Sequence, residues 1–200
     1  MVPSLRARDD IGCCDDDFTR ETVADSDTDK LELLQLDLIL LEAVIRGTAE
    51  GLSMTGLQPP PVGAPRWCTA SRPSSVMVGM VGETNGTCAT SMSERALLHV
   101  AGALLGERCA TVDHEVIDAI GEIGNMVAGR VKELLTGTSF EMENISVPSV
   151  IMGASYSLHF ARGMHAMSVD FELADLPVCD AKDRFITVTL SLLRRVSVAA

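Results

Sequence analysis

Aromatic side chains are scarce: they make up 4% of the 200 residues, with a single Trp and a single Tyr. The core must therefore be built from Leu, Ile, Val, Met and Ala. Basic residues are scarce too. Sixteen Lys and Arg face 28 Asp and Glu, a formal charge of −12 and a pI near 4.6. That balance argues against a nucleic-acid or anionic-membrane partner held by bulk charge, and leaves open a protein partner with a local basic patch. Long apolar runs are missing as well. The longest, Leu31 to Ile45, is interrupted by Glu32, Gln35, Asp37 and Glu42, whereas a membrane span needs about 20 mostly apolar residues. Arg6 and Arg8 precede no apolar segment of the kind a secretory signal carries, so the expected location is cytoplasmic.

Familiar catalytic motifs are also lacking. The cysteines Cys13, Cys14, Cys68, Cys88, Cys109 and Cys179 form no Cys-x-x-Cys pair and no zinc pattern; they read as small buried hydrophobes in a reducing compartment. The histidines His99, His114, His159 and His165 show no metal-ligand spacing. There is no Walker loop or dinucleotide fingerprint, and no nucleophile elbow around any serine. The ten methionines are read as core fillers.

Residues 1–30 hold nine acidic and four basic residues and few large apolar ones. Such a stretch cannot bury enough surface to offset the entropy of ordering, so a disordered acidic extension is expected there, with one folded unit over 31–200. That unit opens with a helical pattern over Leu31–Leu57. Pro59, Pro60, Pro61 and Pro65 then break it. Strands are predicted over Trp67–Ser71, Ser75–Gly82 and Thr87–Ser91, the last two joined by a turn at Asn85-Gly86. Ser91 and Glu94 have the spacing of a capping box, opening a helix over Ser93–Leu105 that ends at Gly106. A long helix over Asp113–Leu135 closes at Gly137. Strands follow over Ser139–Ile145, Val150–Ala154, Tyr156–Arg162, Met167–Leu173 and Arg184–Leu193. In the last of these, Ile186, Val188, Leu190 and Leu192 alternate with Thr187, Thr189 and Ser191, one apolar face per strand. The fold class predicted is α+β: long helices packed on an antiparallel sheet.

The Asp113–Leu135 helix is the most informative segment. At about 100° per residue, Val116, Ile117, Ile120, Ile123, Val127, Val131, Leu134 and Leu135 form one apolar stripe. Asp118, Glu122, Asn125 and Gly129, at i, i+4, i+7 and i+11, cluster on the opposite face. Gly124 falls on the core side, where it would let another element pack closely. Gly129 falls on the polar side, where its missing side chain would leave room for a partner's backbone. Taken alone, this face is also what an ordinary solvated helix presents.

The spacing Asp118-x3-Glu122-x2-Asn125-x22-Pro148 resembles the signature of the CheC/CheX/FliY family of response-regulator phosphatases. The surrounding EIGNMVAG at 122–129, ISVPSVIMG at 145–153 and VGETNGTCATSMSERALL at 81–98 resemble its CheX branch. The likeness runs from about Leu31 to Leu193. It implies a CheC/CheX-like α/β sandwich whose substrate is the aspartyl-phosphate of a CheY-like receiver domain. It implies that Glu122 and Asn125 are catalytic, Asn125 orienting the attacking water and Glu122 meeting the receiver's lysine. It also implies that Asp118, Gly129 and Pro148 serve partner binding. No metal of its own is implied; the Mg²⁺ belongs to the receiver. CheC-type members carry two such helices. Here the corresponding first helix has Ile45 and Ser53 where the Asn should be, after Glu42 and Glu50, so one active site per chain is expected. A homodimer through the sheet is expected as well. The competing reading is a CheX-like adaptor that binds a receiver or dimerises without turnover.

Overall fold

The computed structural model describes residues 26–64, 72–82, 84–153, 156, 164–177 and 180–193, with side chains from residue 38 onward and that of residue 181 left aside. Helix α1 spans Ser26–Gly51 and is followed by a short 3-10 turn, Ser53–Thr55. Strand β1 (Pro61–Gly63), the hairpin β2 (Ser74–Gly82) and β3 (Asn85–Met92), and helices α2 (Glu94–Leu105) and α3 (His114–Leu134) come next. The chain closes with β4 (Met142–Ile145), β5 (Ser149–Met152), β6 (Met164–Glu172) and β7 (Phe185–Leu193). All seven strands form one antiparallel sheet in the order β1-β6-β7-β3-β2-β4, with β5 also on β2. The helices cover one face, as the alternation predicts.

Local chemistry explains the helix ends. Ser93 Oγ accepts from Ala96 N at 3.1 Å and opens α2, and Gly106 at φ +75 closes it. Asp113 Oδ1 accepts from Val116 N at 2.9 Å and opens α3. The cap of α2 is thus Ser93 and not Ser91, which lies inside β3 and shares a 2.6 Å hydroxyl contact with Ser75. Asn85 and Gly86 likewise belong to β3, paired with Leu193 and Leu192 of β7. The hairpin turn falls before them, and Asn85 Oδ1 reaches back to Gly82 N. Ser26–Lys30, expected in the disordered extension, are the first residues of α1; residues 1–25 lie outside the described residues. The predicted strand Trp67–Ser71 also lies outside them, as does Tyr156–Arg162 except for Tyr156, which is in no strand.

Between helices and sheet lie Val76, Val78, Met80, Cys88, Met92, Val169, Phe171, Ile186, Val188, Leu190 and Leu192, with the apolar stripe of α3 above them. The other sheet face is polar but is not a solvent face. Ser75, Ser91, Ser168, Thr187, Thr189 and Ser191 are at most 7% exposed. Their hydroxyls are paired across strands: Ser168 with Thr189 at 2.7 Å, Thr187 onto Asp170 at 2.5 Å and Ser191 onto Thr87 O at 3.3 Å. The Tyr156 hydroxyl donates to Ser75 Oγ on this same face. Pairing of this kind removes the penalty of burying a hydroxyl.

Helix α1 approaches α3 through two glycines. A Cβ on Gly47 would lie 2.6 Å from Val131 Cγ2, and one on Gly51 2.7 Å from Val127 Cα. Gly51→Ala is therefore expected to destabilise the protein by about 1–3 kcal/mol, because the obstacle is backbone that cannot step aside. Chemical denaturation should show a lower midpoint with little change in m.

Candidate functional site

The packing of α3 decides which of its residues meet water. Val116, Ile120, Ile123, Val127, Val131 and Leu135 are at most 2% exposed. Gly124 is buried, and a Cβ there would collide with Val76 of β2, which is the close approach its core-side position predicts. The roll of the helix is thus fixed by α1 on one side and β2 beneath. Asp118 and Glu122 are left exposed, and Asn125 and Gly129 half-buried, on the outer ridge. A Cβ at Gly129 would meet nothing within 4 Å, so this glycine opens space above the ridge and serves no packing contact.

The ridge residues are chemically unspent. Asp118, Glu122 and Asn125 make no hydrogen bond or ion pair with the described residues, whereas Arg130 and Glu133 one turn further on pair at 2.6 Å. Glu122 and Asn125 are three residues apart, about 4.5 Å along the axis and on one face. They can act together on one small group. Asn offers a donor and an acceptor from one side chain, and an ionised Glu offers two acceptor oxygens.

Pro148 reaches this helix from the edge of the sheet. Its ring carbon Cγ lies 3.7 Å from where a Gly121 Cβ would sit, with Val150 Cγ2 at 3.9 Å. Gly121, immediately before Glu122, lies beneath Pro148, and a Cβ there would make only ordinary van der Waals contact, so the contact brings Pro148 to α3 without requiring a glycine. Pro148 is half-buried and shapes the flank of the ridge.

The corresponding face of α1 is closed. Arg46 pairs with Glu42 at 3.2 Å and with Glu50 at 3.6 Å, and Ile45 is packed against the core. No amide stands between those carboxylates, so α1 presents neither a donor–acceptor group nor a free acid there.

Other chemistries find little support among the described residues. No group of three or more His, Cys, Asp or Glu could hold a metal ion. Burial pushes the Cys88 thiol up to about 12. Desolvation, then Glu107, Asp113 and Glu115, raise that of Cys109, so neither is an activated nucleophile. No described helix is long and apolar enough to cross a membrane.

The sequence profile described as chemotaxis phosphatase CheX matches residues 74–172, the stretch from β2 through β6 that carries α3 and Pro148. That stretch belongs to the CheX family. Solved structures agree on the fold. A chemotaxis protein CheX from a Desulfovibrio desulfuricans subspecies is 23% identical, with a TM-score of 0.64 over 76% of this chain and 98% of that one. The Vibrio vulnificus chemotaxis protein CheX is 23% identical, at 0.61 over 76% and 95%. The CheX-CheY-BeF3-Mg²⁺ complex from Borrelia burgdorferi is 22% identical, at 0.59 over 76% and 96%. Among curated protein sequences, nothing matches the chain.

Glycine in mid-helix costs about 0.8–1 kcal/mol relative to Ala, and nothing crowds position 129. Gly129→Ala should accordingly raise the thermal midpoint by about 2–4 °C, the opposite sign to the change at Gly51.

Proposed function

We propose that this chain dephosphorylates the aspartyl-phosphate of a CheY-like receiver domain. The observation that carries the reading is the unpaired Glu122 and Asn125 on a ridge whose orientation is fixed by Gly47, Gly51 and Gly124. In support, the related CheX from Borrelia burgdorferi is described in a complex with CheY, BeF3 and Mg²⁺. Beryllofluoride is a tetrahedral stand-in for a phosphoryl group.

In the proposed reaction the ridge enters the receiver's phosphorylation pocket. The Asn125 carboxamide accepts a hydrogen bond from a water through Oδ1 and donates one to a phosphoryl oxygen through Nδ2, holding the water in line with phosphorus. A bond forms between water oxygen and phosphorus as the bond to the aspartyl oxygen breaks. The products are inorganic phosphate and the free carboxylate, with the water's protons passing to phosphate and solvent. Glu122 pairs with the receiver's active-site lysine and fixes the approach. Mg²⁺ comes with the receiver. Phosphoryl transfer asks mainly for positioning and charge stabilisation, which suits a site with no nucleophile of its own. Asp118, Gly129 and Pro148 frame the docking surface. A receiver substrate also places the protein in the cytoplasm.

The proposed assembly is a homodimer through the sheet, with α3 outward on each copy. β7 lies between β6 and β3 and presents no edge to it. The open edge is β6, where β1 pairs only at Asp170 and Phe171, and where Met164–Val169 have no strand on that side among the described residues. Closing such an edge removes an aggregation hazard.

The test is the lifetime of phosphorylated receivers from the same genome, with and without the protein. Asn125→Ala should abolish the acceleration while leaving the fold as stable or slightly more so, since Ala is the better helix former. Glu122→Ala should weaken complex formation by about 10- to 100-fold, the loss expected for one charge-assisted pair. Binding without any acceleration would instead establish the adaptor. Light scattering should report close to twice the 21.3 kDa chain mass, for the wild type and for Gly129→Gln alike; a monomer at micromolar concentration would remove the dimer.

A further inference from the structure

The connection between β4 and β5, residues 146–148, holds its middle residue out in water. Val147 is 84% exposed, more than any other large hydrophobic residue described. Its backbone is nevertheless fixed on both sides. Ser146 N donates to Gly79 O at 2.8 Å, and Ser146 Oγ accepts from Gly79 N at 2.8 Å and donates to Val147 O at 3.0 Å. Pro148 follows, with its φ locked by the ring and its Cγ seated over Gly121. A valine this exposed contributes almost nothing to folding, because burial is what makes an apolar side chain stabilising. Its β-branched side chain is also stiff at χ1, so little rotamer freedom is lost when a partner covers it. The loop therefore has the features of a pre-organised contact.

This residue borders the proposed catalytic ridge. Gly121 meets Pro148, and Lys132 Nζ donates to Glu143 O at 3.1 Å, so the segment 143–148 runs along one flank of α3. Gly121 and Lys132 are eleven residues apart and share that flank. Asn125, four residues past Gly121, lies about 40° around the helix from it. Val147 and the Glu122–Asn125 ridge thus belong to one continuous surface.

We propose that Val147 is the apolar anchor of the receiver-docking surface, seating in an apolar depression beside the receiver's phosphorylation pocket while the ridge enters the pocket. This rests on the phosphatase reading above. Polar ridge residues orient the reaction, but water competes for each of their contacts. A buried apolar anchor adds affinity through the apolar area it removes from water, without touching the reacting atoms. Val147 is a positioning residue under this assignment.

The experiment uses the full chain and the receiver whose aspartyl-phosphate lifetime the wild type shortens. Dephosphorylation rates are measured against receiver concentration, and affinity for the beryllofluoride-loaded receiver by calorimetry. Val147→Ser should raise KM and Kd about tenfold with kcat within about twofold and the thermal midpoint unmoved. Val147→Ile should behave as the wild type. Unchanged KM and Kd in Val147→Ser, alongside lost turnover in Asn125→Ala, would overturn the anchor and leave the phosphatase reading standing. A fall in kcat at constant KM, or a lowered thermal midpoint, would also overturn it, by assigning Val147 to chemistry or to folding. If the wild type shortens no receiver's lifetime, the phosphatase reading itself falls and the anchor falls with it.

Discussion

The close approach of α1 to α3 is the constraint on which the rest of the molecule depends. Gly47 and Gly51 let the backbone of α3 at Val127 and Val131 come nearer than any side chain would permit. Gly124 does the same for Val76 of β2. Three glycines in helices carry a propensity cost of about 2–3 kcal/mol together. They return it by fixing a helix on two sides at once, so that α3 can neither roll nor slide without backbone collisions. Because its core stripe is set in this way, the position of its outer ridge is set too. The water-orienting role proposed for Asn125 asks for that rigidity more than for reactivity.

The sheet meets a different requirement. Its helix-covered face is aliphatic, but its second face is built of small hydroxyl residues that are buried in pairs. A Ser–Thr pair across neighbouring strands satisfies donor and acceptor locally and keeps the surface flat. The pairs also depend on register. A one-residue slip would break the bonds of Ser168 to Thr189 and Thr187 to Asp170 and turn the aliphatic set outward. Polar satisfaction on one face and apolar burial on the other therefore specify the same pairing.

Much of this architecture is legible in the sequence, because periodicity and capping are local. The α3 stripe, its glycine at 124, the close of α2 at Gly106 and the alternation in β7 follow from residue spacing. What fails is what depends on distant partners. Ser91 and Glu94 have the spacing of a capping box, yet Ser91 is claimed by Ser75 across the hairpin and the cap passes to Ser93. Asn85-Gly86 has turn chemistry, yet pairing with Leu193 and Leu192 draws both residues into β3. The polar side of the sheet reads as a solvent face because alternation cannot say what lies against it. At the site, Glu122, Asn125 and Pro148 stand out through their resemblance to a known signature. The role of Ser146 does not, since it is defined by one contact across the fold, with Gly79.

The ridge itself runs against local preference. Asn125 and Gly129 are poor helix formers placed in the middle of a 21-residue helix, and Asp118, Glu122 and Asn125 make no contact that repays them within the described chain. Helix α3 tolerates them because its opposite side buries six aliphatic residues almost completely, each contributing about 1.5–3 kcal/mol. The matching ridge of α1 is arranged differently. There Arg46 lies between Glu42 and Glu50, and the carboxylates are spent on each other's neighbour. Two helices of one fold thus carry carboxylates on comparable faces. In one they are paired within the chain, and in the other they are held apart, exposed, unpaired and beside an amide, the arrangement that the proposed receiver contact calls for.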